Sequence, residues 1–81
     1  MHSTHTTRYT EFLERLKAAR REAGLTQAAA ARRLGKPQSF ISKCETGERR
    51  VDVVELVDLA YLYRKGIVFF LPGRRRRTGK G

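Results

Sequence analysis

One stretch, Thr26 to Gly47, limits the folds open to this chain more than any other part of it. Two short runs of helix-compatible residues are each closed by a glycine, Gly35 and Gly47, and only Lys36-Pro37 links them. Thr26 can cap the first run, with Gln27 in its first turn. Ala28 to Ala31 are strong helix formers whose small side chains let a neighbouring helix approach closely. Leu34 closes that run's buried face. Pro37 then sets the backbone for a new helix start. In the second run, roughly Gln38 to Glu45, Ile41 and Cys44 lie three apart and share one face. Gln38, Ser39, Ser42 and Lys43 fall on the opposite face. The reading is two short helices held across a sharp turn.

The flanks are helical too. A helix is expected from about Thr10, with Thr10 as cap and Glu11 and Glu14 near its positive end. Phe12, Leu13, Leu16, Ala19 and Ala23 give it one apolar face, and Gly24 stops it. Arg20 falls beside that face, so it either stretches its stem to water or pairs with a carboxylate inside the domain. Beyond the loop at Gly47, Asp52-Val53-Val54-Glu55 matches a capping box and opens a helix to about Tyr63. Val53, Leu56, Leu59, Ala60 and Tyr63 form its core stripe. Val54, Val57 and Tyr61 form a second apolar arc, more than a monomer of this size requires. Ile67 to Leu71 is read as a last helical turn in preference to a strand. The expected class is all-α, a compact bundle of about five short helices with a helix-turn-helix at the second and third. Residues 1–9 are read as a flexible arm, 10–72 as the domain and 73–81 as a basic disordered tail.

Charge narrows the function. Eighteen Lys and Arg against eight Asp and Glu give a net charge of +10. A polyanion is the natural partner, because each neutralised phosphate releases condensed counterions. A chain of 81 residues buries roughly 60% of its unfolded surface, which favours a binding module over a deep catalytic cleft. No nucleophile, base and carboxylate are grouped, no phosphate loop is present, and no enzyme activity or cofactor is expected. His2 and His5 have no further ligand beside them, so no metal site is expected. The single cysteine, Cys44, excludes an intramolecular disulfide and reads as a small buried hydrophobe. The first residues are polar and the longest apolar run is five residues, Ile67–Leu71, so no leader or membrane span is expected and the chain reads as cytoplasmic.

Residues 16 to 60 resemble the Cro/repressor-type helix-turn-helix family of bacterial and phage DNA-binding proteins. The pattern that carries the resemblance is Leu16, Arg20, Gly24-Leu25-Thr26-Gln27, Ala31, Leu34-Gly35, Gln38-Ser39, Ile41-Ser42, Glu45 and Gly47. It implies that Gln38, Ser39, Ser42 and Lys43 are the base-reading and groove-facing residues, and that Gln27 holds a phosphate and hydrogen-bonds Gln38. It also implies a partly buried salt bridge between Arg20 and Glu45. The sequence departs from the family at Ala30, where a larger aliphatic residue is usual, so Phe12, Phe40 or Tyr63 has to fill the core there. Lys36 replaces an apolar turn residue and Cys44 a common aromatic.

These readings converge on a sequence-specific regulator of double-stranded DNA, most simply a repressor acting on a palindromic operator. Thr26, Gln27, Arg49 and Arg50 are the expected phosphate ligands, with Arg49 or Arg50 alternatively reaching the minor groove. Phe40 either touches a thymine methyl or packs under the turn. A homodimer is expected, with Val54, Val57, Tyr61 and Phe69 (or Phe70) at its interface. The rival reading is an antitoxin or anti-regulator that covers a protein partner with its apolar C-terminal surface.

Overall fold

The structure, a computed structural model, describes residues 6–73. His2 and His5 lie outside the described residues, as does the arginine run that begins at Arg74. Five helices follow one another: α1 (Thr7–Glu22), α2 (Gln27–Leu34), α3 (Gln38–Thr46), α4 (Val53–Tyr63) and the single turn α5 (Ile67–Phe70). No strand occurs among the described residues, and the apolar run Ile67–Phe70 is helical.

α1 starts a turn earlier than the sequence suggested. Thr6, not Thr10, is its cap, and the Thr6 hydroxyl accepts from the Tyr9 N–H at 3.0 Å. Thr10 instead lies in the first turn and donates its hydroxyl to the Thr6 carbonyl. The extra turn is anchored by Tyr9, whose ring stacks obliquely on Phe12 at 5.2 Å and whose hydroxyl accepts from the Val51 N–H at 3.1 Å. Residues 7–9 of the expected arm are therefore helical.

The other helix ends follow the local chemistry of the chain. The Thr26 hydroxyl accepts from Ala29 N–H at 3.0 Å at the start of α2. Gly35 and Gly47 both take the left-handed conformation, at φ 70° and 86°, and stop α2 and α3. A residue with a Cβ would be strained at either position. At α4 both halves of the capping box are formed: Asp52 Oδ1 accepts from Glu55 N–H at 2.8 Å, and Glu55 Oε1 accepts from Asp52 N–H at 3.1 Å. α4 ends at Arg64, which holds a left-handed φ of 58° without being glycine.

The core lies under the α2–α3 pair. α1 packs against α3, α4 and α5, and α2 packs against both α3 and α4. Leu16 and Ala19 of α1, Ala30 of α2, Ile41 and Cys44 of α3, Leu59 and Tyr63 of α4 and Phe70 of α5 are all buried. Of the three aromatics that might compensate for the small Ala30, Phe12 and Tyr63 are in the core, whereas Phe40 is only half-buried. Val53 does not join the core stripe. It is the first residue of α4, stays 71% exposed, and borders a shallow groove shared with Tyr9, Val51 and Pro72. Burial on α4 begins at Leu56.

Candidate nucleic-acid interface

α3 is short and divides cleanly. Ile41 and Cys44 are each 1% exposed, while Gln38, Ser39 and Lys43 are exposed and Ser42 is half-buried. Burial pushes the Cys44 thiol above its ordinary pKa, which keeps it protonated and unreactive. Ser42 and Thr46 donate their hydroxyls to carbonyls one turn back, Ser39 and Lys43. Their oxygen lone pairs stay available to a donor on the open side.

Behind this face lies a buried ion pair. Arg20 Nε donates to Glu45 Oε2 at 2.6 Å and Nη2 to Oε1 at 3.1 Å. A third bond, Nη1 to the Leu25 carbonyl at 2.9 Å, ties in the turn between α1 and α2. The bond from Glu45 raises the Arg20 pKa further, so the guanidinium stays charged at every accessible pH. Glu45 Oε1 also accepts from Gln27 Nε2 at 3.0 Å, and Gln27 Oε1 faces Gln38 Nε2 at 3.5 Å. A continuous path thus runs from the buried pair through half-buried Gln27 to exposed Gln38. Because Glu45 can only accept, the Gln27 amide must point its NH₂ inward, which leaves its oxygen turned toward Gln38.

The loop after α3 holds a feature that sequence reasoning missed. Arg49 was expected to be a phosphate ligand; its Nη1 and Nη2 donate to the two Glu55 oxygens at 2.7 Å each. Nη1 also donates to the Arg50 carbonyl, and the guanidinium lies over the Phe40 ring at 4.9 Å. Lys36 Nζ lies over the same ring at 5.0 Å. Phe40 is therefore a platform for two cations beside the turn. The Arg49 bond, followed by the Asp52 N–H, holds the Glu55 carboxyl below its ordinary pKa. The signal for this pair was present in the capping box, which fixes Glu55 facing the loop. Arg50, by contrast, is exposed and stacks on Tyr9, with 4.3 Å to the ring centroid.

On the surface proposed for a partner, Val54, Val57 and Tyr61 are 66%, 50% and 87% exposed. Phe69 is half-buried, edge-on to Phe70 at 5.4 Å and beneath the Lys65 ammonium at 4.6 Å, and Phe70 is fully buried. Both are thereby tied into the core. Among the described residues no group of three His, Cys, Asp or Glu could hold a metal ion, and no helix is long and apolar enough to cross a membrane.

Residues 11–65 match the helix-turn-helix domain family. A solved structure of an XRE-family like protein from Pseudomonas syringae pv. tomato str. DC3000 is 45% identical, over 76% of each chain, with a TM-score of 0.72. A second, the crystal structure of Fe(II)-HppE with the alternative substrate (S)-1-HPP, is 27% identical with a TM-score of 0.75. That match covers 93% of this chain but 40% of the other, and the iron and substrate in its description belong to that protein. No curated protein matches the chain.

Proposed function

The chain belongs to the Cro/repressor-type helix-turn-helix family of DNA-binding proteins, and we propose that it is a sequence-specific regulator of double-stranded DNA, most simply a repressor. The observation that carries this reading is the path from Arg20 and Glu45 through Gln27 to Gln38. It delivers a side-chain amide of fixed orientation to the first exposed position of α3. An amide so held can offer one donor and one acceptor to the N7 and N6 of adenine in the major groove. Ser39, Ser42 and Lys43 complete the reading face, and α3 is the helix that enters the groove.

Phosphate holding falls to groups around that face. The Thr26 hydroxyl uses a lone pair to cap α2, which leaves its hydrogen to donate, and the amino-terminal end of α2 presents unpaired N–H groups and a positive dipole end. Gln27 follows Thr26 directly, Lys36 lies in the turn between α2 and α3, and Arg50 lies exposed in the loop after α3. Arg49 serves mainly to pin the loop through Glu55, and it reaches a phosphate only by exchanging one anion for another. The protein acts in the cytoplasm by binding alone, with no cofactor and no catalytic step. Its exposed stripe on α4 meets a second copy, so that two α3 helices address a palindromic operator. Co-purification of a different, stoichiometric protein on that stripe would instead favour an antitoxin or anti-regulator.

Selection of bound duplexes from a random pool tests the reading. The full chain should enrich one motif, and Gln38→Ala should relax preference at one base step by about 1–3 kcal/mol while leaving the rest of the motif intact. Recovery of a flat pool by the wild-type chain would sink it.

A further inference from the structure

Which end of an amide faces a base decides which base it can read, and in this chain that choice is made in the core. Glu45 is 4% exposed, and both of its oxygens accept from Arg20, Oε2 from Nε at 2.6 Å and Oε1 from Nη2 at 3.1 Å. A carboxylate so paired has acceptors only. Gln27 Nε2 donates to the same Oε1 at 3.0 Å, so its NH₂ is held inward and its own oxygen is turned out, 3.5 Å from Gln38 Nε2. Gln38 therefore keeps its NH₂ on the Gln27 side and its oxygen on the far side. Donor and acceptor alternate along three side chains, from a buried anion to an exposed amide on α3. Either glutamine alone could be turned end for end at little cost in shape. Glu45 cannot be turned, because its two ends are alike.

We propose that Glu45 is a positioning residue for base reading, a role that rests on α3 being the helix in the major groove. Glu45 touches no DNA, and through Gln27 it sets which end of the Gln38 amide meets the variable edge of a purine. At that edge adenine offers the N6 donor and guanine the O6 acceptor, while both offer N7 as an acceptor. With its oxygen on the far side, Gln38 accepts from N6–H and has a second N–H for N7. The same orientation sets oxygen against oxygen at guanine.

Replacing the carboxylate by an amide should reverse the chain of bonds. In Glu45→Gln the remaining oxygen stays with the shorter Arg20 contact, because an NH₂ there would face a donor at 2.6 Å. The new NH₂ then takes the place of Oε1 and donates to Gln27, whose amide turns over, and Gln38 follows. Adenine loses both of its bonds, and guanine gains one at O6. The double variant E45Q/Q27E moves the acceptor-only group to position 27. There it accepts from the amide at position 45 on one side and from the Gln38 NH₂ on the other, which returns Gln38 to its original orientation.

The experiment selects duplexes from a random pool with the full chain, E45Q and E45Q/Q27E. Affinity is then measured on the wild-type motif with adenine or guanine at the step that Gln38→Ala relaxes. E45Q should lower the adenine-over-guanine ratio at that step by about 5–150-fold, the range of one bidentate contact, and leave the ratios at other steps unchanged. E45Q/Q27E should restore adenine. An E45Q chain that weakens every duplex alike with the ratio unchanged overturns the proposal, and so does a double variant that fails to restore adenine. Either result would leave Glu45 only as the structural partner of Arg20. If E45Q does not fold, the wild-type chain decides by nuclear magnetic resonance. Its Gln27 side-chain NH₂ should exchange with solvent more slowly than that of free glutamine, and exchange at the free rate overturns the proposal. A wild-type chain that enriches no motif would remove the DNA reading and the proposal together, a failure distinguishable from the others because it shows before any variant is made.

Discussion

Arg20 carries more of this fold than its place in the sequence suggests. It sits beside the apolar face of α1, and its three donors join Glu45 of α3 to the Leu25 carbonyl. Removing it strands a carboxylate that is only 4% exposed. Arg20→Ala should therefore cost about 3–5 kcal/mol in urea unfolding, whereas the double replacement R20M/E45L should recover most of that loss. If the double variant were as unstable as the single one, the pair's geometry rather than an uncompensated charge would be the source. The Arg49–Glu55 pair makes a different prediction, because it is exposed. Glu55 has its pKa depressed in the folded state, so its contribution is complete above the unfolded value near 4.3 and is lost as pH falls through the lower folded value. Glu55→Gln should flatten the acid limb of stability against pH and lower the neutral-to-alkaline limb without changing its slope, as thermal melts from pH 2 to 8 would show. The Arg20 side chain was conspicuous in the sequence because a charge broke an apolar pattern. Arg49 was not, because a loop arginine six residues before a glutamate looks the same whether it faces phosphate or carboxylate.

Helix existence was legible here and helix ends were less so. The two glycine stops at Gly35 and Gly47 and the box at Asp52 and Glu55 each satisfy backbone groups through a local rule, which a sequence displays directly. The start of α1 obeys the same rule, but at Thr6 instead of the expected Thr10, and the extra turn is held by Tyr9 packing on Phe12 and reaching Val51, 42 residues away. Val53 failed for a related reason: periodicity counts it on the core stripe, but a helix's first residue can project beyond the elements it packs on. Arg64 is the converse case, a position whose backbone asks for glycine while the sequence supplies a bulky cation. A left-handed non-glycine residue costs about 1 kcal/mol or more, partly offset by the greater unfolded freedom of glycine. Arg64→Gly should thus stabilise the chain by ~0.5 kcal/mol, a rise of roughly 2–4 °C in Tm. A fall in Tm would mean that the Arg64 side chain, which borders the groove with Arg33, Val57 and Tyr61, contributes more than its backbone strain removes.

The whole molecule has two unlike surfaces, a cationic one around α3 and the Arg50 loop, and an apolar one along α4. Val54, Val57 and Tyr61 are spaced i, i+3 and i+7, which puts them in one stripe two turns long, about 10.5 Å. None of them contributes much to the monomer, since each is at least half exposed. That separates assembly from folding in an experiment. In the proposed homodimer the stripe is self-complementary about a two-fold axis, so a charge at its outer end is buried against the partner's apolar stripe twice, once from each copy. Tyr61→Glu should leave the melting transition within ~0.5 kcal/mol of wild type, because the side chain is 87% exposed. It should nevertheless shift sedimentation toward the monomer. On a duplex with two half-sites about 10–10.5 base pairs apart, the variant should bind without cooperativity, while its affinity for a single half-site stays the same. A wild-type chain that sediments as a strict monomer at high micromolar concentration, alone and on that duplex, would remove the dimer and leave the stripe to a different protein. Equal weakening on one and two half-sites would instead mean that Tyr61 acts through the monomer's own contacts with DNA.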